Sequence, residues 1–375
     1  MVIRSFLPFY DVSNTFQTNL VDVVVDQLID YNCTKKFCGS GSFTMTLPLT
    51  RNNLRAMQSG YILAVGGISI SSDWLIIEDV SYDRASGKIT VSGKDLNSLL
   101  SRRRTLFGDT QVPGAQGYDI ISGTTAECVK HYLDNNMISP DDSERVLPGF
   151  VFDEVHMPAG ILNDSYMSRL EDLQIVVEDL CSNAGLGYRI YGWVNSDCYA
   201  FRLLEGTDRS INQTVVSPVI LSAAHSNIIT AGFTHSTGNL YNAFYATGAD
   251  VTQTVYRDNS AVPTGYSRRE TSIDVAVSSV SDIRQYALYQ MRENTETHTV
   301  SVDVKPGMAG TDFFLGDIVT VQDDITGNYY SAQVTEISSS LSGTADKTAV
   351  TLGQPNPKIL NRIITGIYNG TIRRR

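Results

Sequence analysis

Gly60-Tyr61-Ile62-Leu63-Ala64-Val65, then Ile77-Glu78-Asp79-Val80-Ser81, then Ile89-Thr90-Val91-Ser92-Gly93 is the stretch that decides the fold, because it recurs. The second copy reads Gly316-Asp317-Ile318-Val319-Thr320-Val321, then Val334-Thr335-Glu336-Ile337-Ser338, then Ala349-Val350-Thr351-Leu352-Gly353. Each copy is a strand entered from glycine, a strand ending in serine and a strand closing on glycine. The offset is 256 residues between the first glycines and 260 between the last, so a few insertions separate the copies. Short runs of β-branched and apolar residues bounded by Gly, Ser and Asp are strand signals. Two copies in one chain predict a β-rich α+β protein with two related small antiparallel β-barrels, interrupted or followed by α/β insertions. Three chains in a closed ring would present six similar barrels, so a trimer of this kind suits a six-fold partner on one side and a three-fold one on the other.

Outward from the repeat, residues 1–105 read as the first barrel. Gly41 to Leu49 alternates, with Phe43, Met45 and Leu47 on one face. Asp95 is placed to cap a short helix carrying Leu96, Leu99 and Leu100, which closes on Arg102, Arg103 and Arg104. Basic residues suit a helix C-terminus. The triplet therefore reads either as dipole complementation or as a contact for an acidic neighbour, and it is the one candidate interface the sequence offers. Residues 106–216 read as an α/β insertion. It holds a helix capped by Thr124 or Thr125 and a longer helix opened by Asp164 or Ser165. The stripe of the longer helix is Met167, Leu170, Leu173, Val177 and Leu180, and Gly185 ends it. A hairpin follows, Tyr188–Tyr191 with Tyr199–Leu203. Residues 217–255 and 298–354 form the second barrel. Residues 256–297 are a loop with a helix at about Ser281 to Asn294, and residues 355–375 are a C-terminal arm.

The chain has 375 residues, 42% of them apolar, enough for real cores. No apolar run reaches the ~18 residues of a membrane-spanning helix. The N-terminus, broken by Pro8 and Asp11, does not read as a secretory signal. The balance of 29 basic against 40 acidic residues, net −11, argues against sequence-specific DNA binding.

Chemistry-bearing motifs are sparse. Cys33 and Cys38 form an isolated C-x4-C pair without the second half of a zinc site, and Cys128, Cys181 and Cys198 read as packed thiols. The five histidines, His131, His156, His225, His235 and His298, fall in no metal-binding arrangement. No nucleophile elbow or phosphate loop is present: Gly39-Ser40-Gly41-Ser42 and Gly185-Leu186-Gly187 lack the spacing. Glu171-Asp172 and Glu178-Asp179 read as a solvated helix face. No catalytic residue, metal ligand or cofactor is expected. Tyr329-Tyr330, and Tyr241 with Phe244 and Tyr245, leave open a carbohydrate-binding module of a tail tip or surface protein. A cell-wall hydrolase is the second alternative.

Several segments together resemble the opening domain of phage tail baseplate hub proteins, above all the hub-like tail-tip proteins of long-tailed siphophages and prophages, relatives of contractile-tail hubs. They are Gly41 to Leu49, Ser59-Gly60-Tyr61-Ile62, Ile76 to Val80, Ile89 to Leu96, and Leu99-Leu100-Ser101-Arg102-Arg103. Leu170 to Tyr188, and Phe314-Leu315-Gly316-Asp317-Ile318-Val319, fit the later parts of that family. Residues 105–165 and 256–297 fit least.

The resemblance implies a structural homotrimer below the distal end of the tail tube, made in the host cytoplasm and carried in the virion. Its implied partners are its own copies, the distal tail ring protein, the tape-measure protein and a tail fibre or tip protein. DNA passes through the channel during ejection. Some family members carry a C-terminal peptidase, lysozyme-like or fibre region. This chain ends about 20 residues after the second barrel, so such activities are expected on other chains. Carboxylates lining a lumen would repel phosphates and let DNA slide. Alternatively, the acidic balance serves solubility alone.

Overall fold

The computed structural model describes residues 3–6, 20–23, 28–66, 72–106, 119–193, 198–238, 240–247, 252–256, 262–274, 297–343 and 345–353, with Arg284 and Ala287. In chain order the strands are β1 (Ile3–Phe6), β2 (Leu20–Val23), β3 (Asp30–Lys36), β4 (Ser42–Pro48), β5 (Ile62–Val65), β6 (Asp73–Asp83), β7 (Lys88–Asp95), β8 (Asp119–Thr124), β9 (Phe150–Phe152), β10 (Leu162–Ser168) and β11 (Leu186–Trp193). They continue as β12 (Cys198–Glu205), β13 (Ile220–Leu221), β14 (Ile228–Ser236), β15 (Ala243–Thr247), β16 (Thr252–Tyr256), β17 (Glu270–Asp274), β18 (Thr297–Val304), β19 (Ile318–Gln322), β20 (Tyr329–Ser342) and β21 (Ala345–Leu352). The α-helices are α1 (Arg51–Ala56), α2 (Thr125–Leu133) and α3 (Leu173–Ala184). The chain divides into one unit of residues 1–231 and 301–375 and a second of residues 232–300.

Both copies of the repeat are antiparallel meanders, β5-β6-β7 and β19-β20-β21. The likeness extends to their irregularities. Gly60 has φ +86° and Gly316 has φ +97°. Gly60 donates its amide to the Ile77 carbonyl at 2.7 Å, and Ile77 donates back to Tyr61 at 2.9 Å. Gly316 donates to Val334 and Val334 donates back to Asp317, each at 2.8 Å. Two residues oppose one across the ladder, with a positive-φ glycine in first place. That is a bulge which glycine adopts without steric cost. A second register shift follows at once in each copy, between Ile77 and Asp79 and between Val334 and Glu336. Two bulges at matching places are much harder to reach by chance than apolar alternation.

The meanders belong to one sheet in the order β14-β18-β21-β20-β3-β4-β7-β6-β5-β1-β2, with β19 on β20 and β13 on β19. β3 is the bridge: it pairs with β20 on one side and β4 on the other. The expected pair of separate closed barrels is not what the strand pairing draws. Among the described residues the path is continuous from copy to copy and does not close on itself.

In the first meander, β5 and the first half of β6 are buried on both faces. Leu63, Val65, Leu75 and Ile77 pack with Phe43, Met45, Leu47, Ile89 and Val91. Ile62, Ala64, Trp74 and Ile76, pointing the other way, pack with α2, α3, β11 and β12. Strands covered on two sides read as unbroken apolar runs, which is why Tyr61 to Val65 lacks alternation.

The covering layer follows local rules. Thr124 accepts the Glu127 amide while the Glu127 carboxylate accepts the Thr124 amide, a complete capping box on α2. Asp172 caps α3 by accepting the Gln174 amide at 2.9 Å, and Gly185 closes that helix at φ +70°. β11 and β12 form the expected hairpin. The helix predicted to open at Asp164 or Ser165 instead begins at Leu173. Residues 162–168 are β10, paired with β8, and Leu170 lies outside any helix. Met167 and Leu170 fall in phase with the stripe, but pairing with β8 and the Asp172 cap set the boundary. The segment after Asp95 is a 3-10 helix, Leu96–Arg102, and Asp95 does not cap it. Its carboxylate accepts Ser40 Oγ at 3.0 Å and the Gly41 amide at 2.9 Å.

In the unit of residues 232–300, β15 pairs antiparallel with β16 and parallel with β17 around Phe244, Ala246, Val255 and Ala287. Of the helix expected at Ser281 to Asn294, Arg284 and Ala287 are described, and both are helical. The C-terminal arm, residues 355–375, lies outside the described residues.

Candidate interaction surface

The 3-10 helix buries Leu96, Leu99 and Leu100 and turns Arg102 outward. The chain then runs alongside the entry to α3. The Arg103 carbonyl accepts the Leu173 amide at 3.1 Å, and the Thr105 amide donates to Glu171 at 2.9 Å. Thr105 is fully buried. Its hydroxyl meets Ser168 Oγ at 2.7 Å and accepts the Glu171 amide at 3.1 Å, and its carbonyl accepts the Leu170 amide at 3.0 Å. This clamp holds Leu170 at φ +55°, a region leucine rarely enters, and leaves it 61% exposed.

The arginine triplet divides by role. Arg103 Nε donates to the Arg145 carbonyl at 3.3 Å, and Arg145 donates to the Arg104 carbonyl at 2.5 Å and to Asn136 Oδ1 at 3.1 Å. Burial, then the nearby Arg103 charge, draw the Arg145 pKa down from its usual value. The Arg104 guanidinium lies 3.9 Å from the Asp172 carboxylate and stays 64% exposed, so this pair contributes little. Arg103, Arg104 and Arg145 thus meet at one place, and the exposed Leu170 is bonded through its backbone to the neighbouring Thr105. Sequence reading missed Arg145, which reaches the triplet through its bonds to the Arg104 carbonyl and Asn136, and the place of Leu170, which the Thr105 clamp sets.

A cavity of about 230 Å³ lies between β3, β6 and the β11-β12 hairpin. Lys35 pairs with Asp73 at 2.5 Å, Tyr31 donates to Asp73 at 3.2 Å, and Arg189 donates to the Ser72 carbonyl at 2.5 Å. Its one thiol, Cys33, is pushed up to about 12 by burial and by the Asp73 charge, so it is no nucleophile near neutral pH. The C-x4-C pair separates: Cys33 belongs to the core beneath β4, whereas Cys38 packs against the core of α3 and donates to the Glu178 carbonyl.

Other groups weighed for catalysis have structural partners. His131 meets Asp119 at 2.7 Å, His225 meets Ser222 at 2.7 Å, and His156 lies 3.4 Å from the Asp153 carboxylate. Glu178 is tied by Gln174 rather than free on a solvated face. Among the described residues no three His, Cys, Asp or Glu side chains gather as a metal site. Phe244, weighed as a sugar-stacking ring, is buried in its unit's core. No helix among the described residues is long and apolar enough to cross a membrane.

The siphovirus ReqiPepy6 Gp37-like protein family matches residues 16–354. The chain belongs to that family. Three solved structures share the fold. A tail protein from Neisseria meningitidis MC58 is 16% identical, with 94% of this chain and 96% of that one covered and a TM-score of 0.54. The 43 kDa tail protein of prophage MuSo2 from Shewanella oneidensis is 13% identical, with 95% and 98% covered and a TM-score of 0.55. The prophage tail protein gp18 from Listeria monocytogenes EGD-e is 11% identical, with 97% of each chain covered and a TM-score of 0.53. No curated protein sequence matches significantly. This member of the Gp37-like family has the fold of those three tail proteins.

Proposed function

We propose that this protein is the structural hub of a siphovirus tail tip. Three copies form a ring that adapts the six-fold tail tube to a three-fold tip and surrounds part of the path of the ejected DNA. The observation that carries this reading is the pair of meanders with matching glycine bulges at Gly60 and Gly316. A duplicated β-unit gives a trimer six similar surfaces, the number a six-fold tube presents. In this reading residues 1–105, and residues 217–255 with 298–354, are the two tube-type barrel units, each completed by neighbouring copies. Residues 106–216 and 256–297 are insertions.

The distal tail ring protein, the tape-measure protein and a fibre or tip protein are the expected neighbours. The role is structural, without catalysis. Native mass spectrometry with particle imaging tests it. A mass near three times 41.2 kDa, about 124 kDa, with hollow rings supports the hub. A compact monomer, alone and with the distal ring protein, overturns it.

A further inference from the structure

We propose that β14 of one copy pairs, edge to edge, with the outer half of β6, residues 79–83, of a second copy. The inference rests on the trimer reading and names the contact that closes the ring.

Two stretches of strand edge stand open in the sheet. β14 ends the strand order and pairs with β18 alone among the described residues. None of its nine residues is buried, and Ile229 is 60% exposed. A strand that buries no side chain is held by its backbone ladder alone. β5 covers β6 only at residues 73–76, and the Ser59 hydroxyl donates to the Glu78 carbonyl at 2.8 Å. Over residues 79–83, β6 pairs with β7 alone among the described residues, and Tyr82 stands 52% exposed. The partner that satisfies a row of open amides and carbonyls is another strand.

Composition selects which strand. Sheet proteins guard free edges with lysine, proline or other charges. β14 reads Ile-Ile-Thr-Ala-Gly-Phe-Thr-His-Ser, with no Lys, Arg, Asp, Glu or Pro. The open part of β6 carries a carboxylate at each end, Asp79 and Asp83. Two such edges face to face would set like charges across the ladder, which is destabilising, so two β6 edges do not pair. β14 brings no charge against those carboxylates. A contact between two different edges is heterologous, and a heterologous contact closes a ring. Both strands belong to the sheet that the two repeat copies share, so the pairing carries one hydrogen-bonded layer from copy to copy.

Charge placed on one edge tests the other. Residues 229 and 232 lie on opposite faces of β14, and a Cβ at Gly232 would meet nothing within 4 Å. Ile229→Glu/Gly232→Glu sets a carboxylate on each face, and Ile229→Lys/Gly232→Lys sets an ammonium there instead. Both sites are exposed, so both variants should melt within a few degrees of the wild type. Trimer association should fall about tenfold or more in the Glu variant and hold or tighten in the Lys variant. Sedimentation equilibrium reads the association. Hydrogen exchange should show residues 79–83 and 228–232 protected together in the wild-type trimer and released together in the Glu variant. A trimer unchanged in the Glu variant overturns this contact and leaves the trimer reading standing. Equal weakening in the Glu and Lys variants removes the acidic β6 edge as the partner and overturns the contact as well. A wild-type dimer that the Glu variant splits assigns β14 to its own copy in the partner and overturns both readings. A wild-type monomer at about 10 µM, a usual working concentration for specific assemblies, also overturns both.

Discussion

The ring of Phe37 lies against Gly316 so closely that a Cβ at residue 316 would stand 2.2 Å from Phe37 Cε2. Phe37 also donates its amide to Thr335 at 2.9 Å and accepts the Tyr188 amide at 3.0 Å. One residue after the bridging strand β3 thus ties that strand to the second copy of the repeat and to the β11-β12 hairpin. Gly60, the counterpart of Gly316, has open space where its Cβ would be. The two glycines share a backbone need, and only one has a packing need.

Alanine at each position separates those needs. Gly60→Ala should cost about 1–2 kcal/mol, the strain of positive φ alone. Gly316→Ala adds a clash with a buried ring, and overpacking brings roughly 1–3 kcal/mol more. Urea unfolding should show a markedly lower midpoint for Gly316→Ala than for Gly60→Ala at similar slope. Equal midpoints would mean that Phe37 moves aside at no cost, and its place as a junction would be lost.

The buried Asp153 carboxylate gives stability a defined acid limit. Burial raises its pKa, but the Arg202 hydrogen bond and charge, with His156, outweigh that and hold it below the usual carboxylate value. Arg202 Nε lies 2.6 Å from Asp153 Oδ2, and Tyr191 donates to the same oxygen at 3.2 Å. A carboxylate with a lowered folded pKa stabilises fully above its unfolded value of ~3.9 and loses that as pH falls through the folded value. Asp153→Asn should therefore destabilise by on the order of 3 kcal/mol at pH 7, leaving Arg202 unpaired. The gap to wild type should narrow as the pH falls through the lowered folded value. A gap that stays constant with pH would assign the loss to packing.

How far the sequence speaks can be seen residue by residue. Phe43, Met45 and Leu47 announce β4 because one face is wet. Thr124 with Glu127, and Gly185, announce helix ends because those bonds lie within a few residues. The glycine-entered repeat is legible for the same reason. Leu170 is not. Its spacing from Leu173 and Val177 imitates a helical stripe, and only Thr105, 65 positions earlier, overrules it. The arginine triplet is visible in sequence, but its fourth member, Arg145, arrives through Asn136 and the Arg104 carbonyl. Local rules report local bonds, and the places of Leu170 and Arg145 are set by long-range ones.

The cysteines offer a check on core placement that needs no assembly. Burial, with the Asp73 charge next, pushes Cys33 up to about 12, and burial, with Glu127 next, pushes Cys128 up to about 11. Cys181 is raised as well, again by burial first. Only the thiolate attacks a maleimide, so at pH 8 a thiol of pKa 12 offers about one reactive molecule in ten thousand. Cys198 is buried too, which leaves the half-buried Cys38 as the accessible thiol. Brief labelling of the native protein at pH 8 should therefore modify Cys38 first and alone, and all five cysteines should react in urea. Peptide mapping reads the order. Labelling of Cys33 as fast as Cys38 would place the C-x4-C segment at the surface and remove Tyr31, Cys33 and Phe43 from a common core.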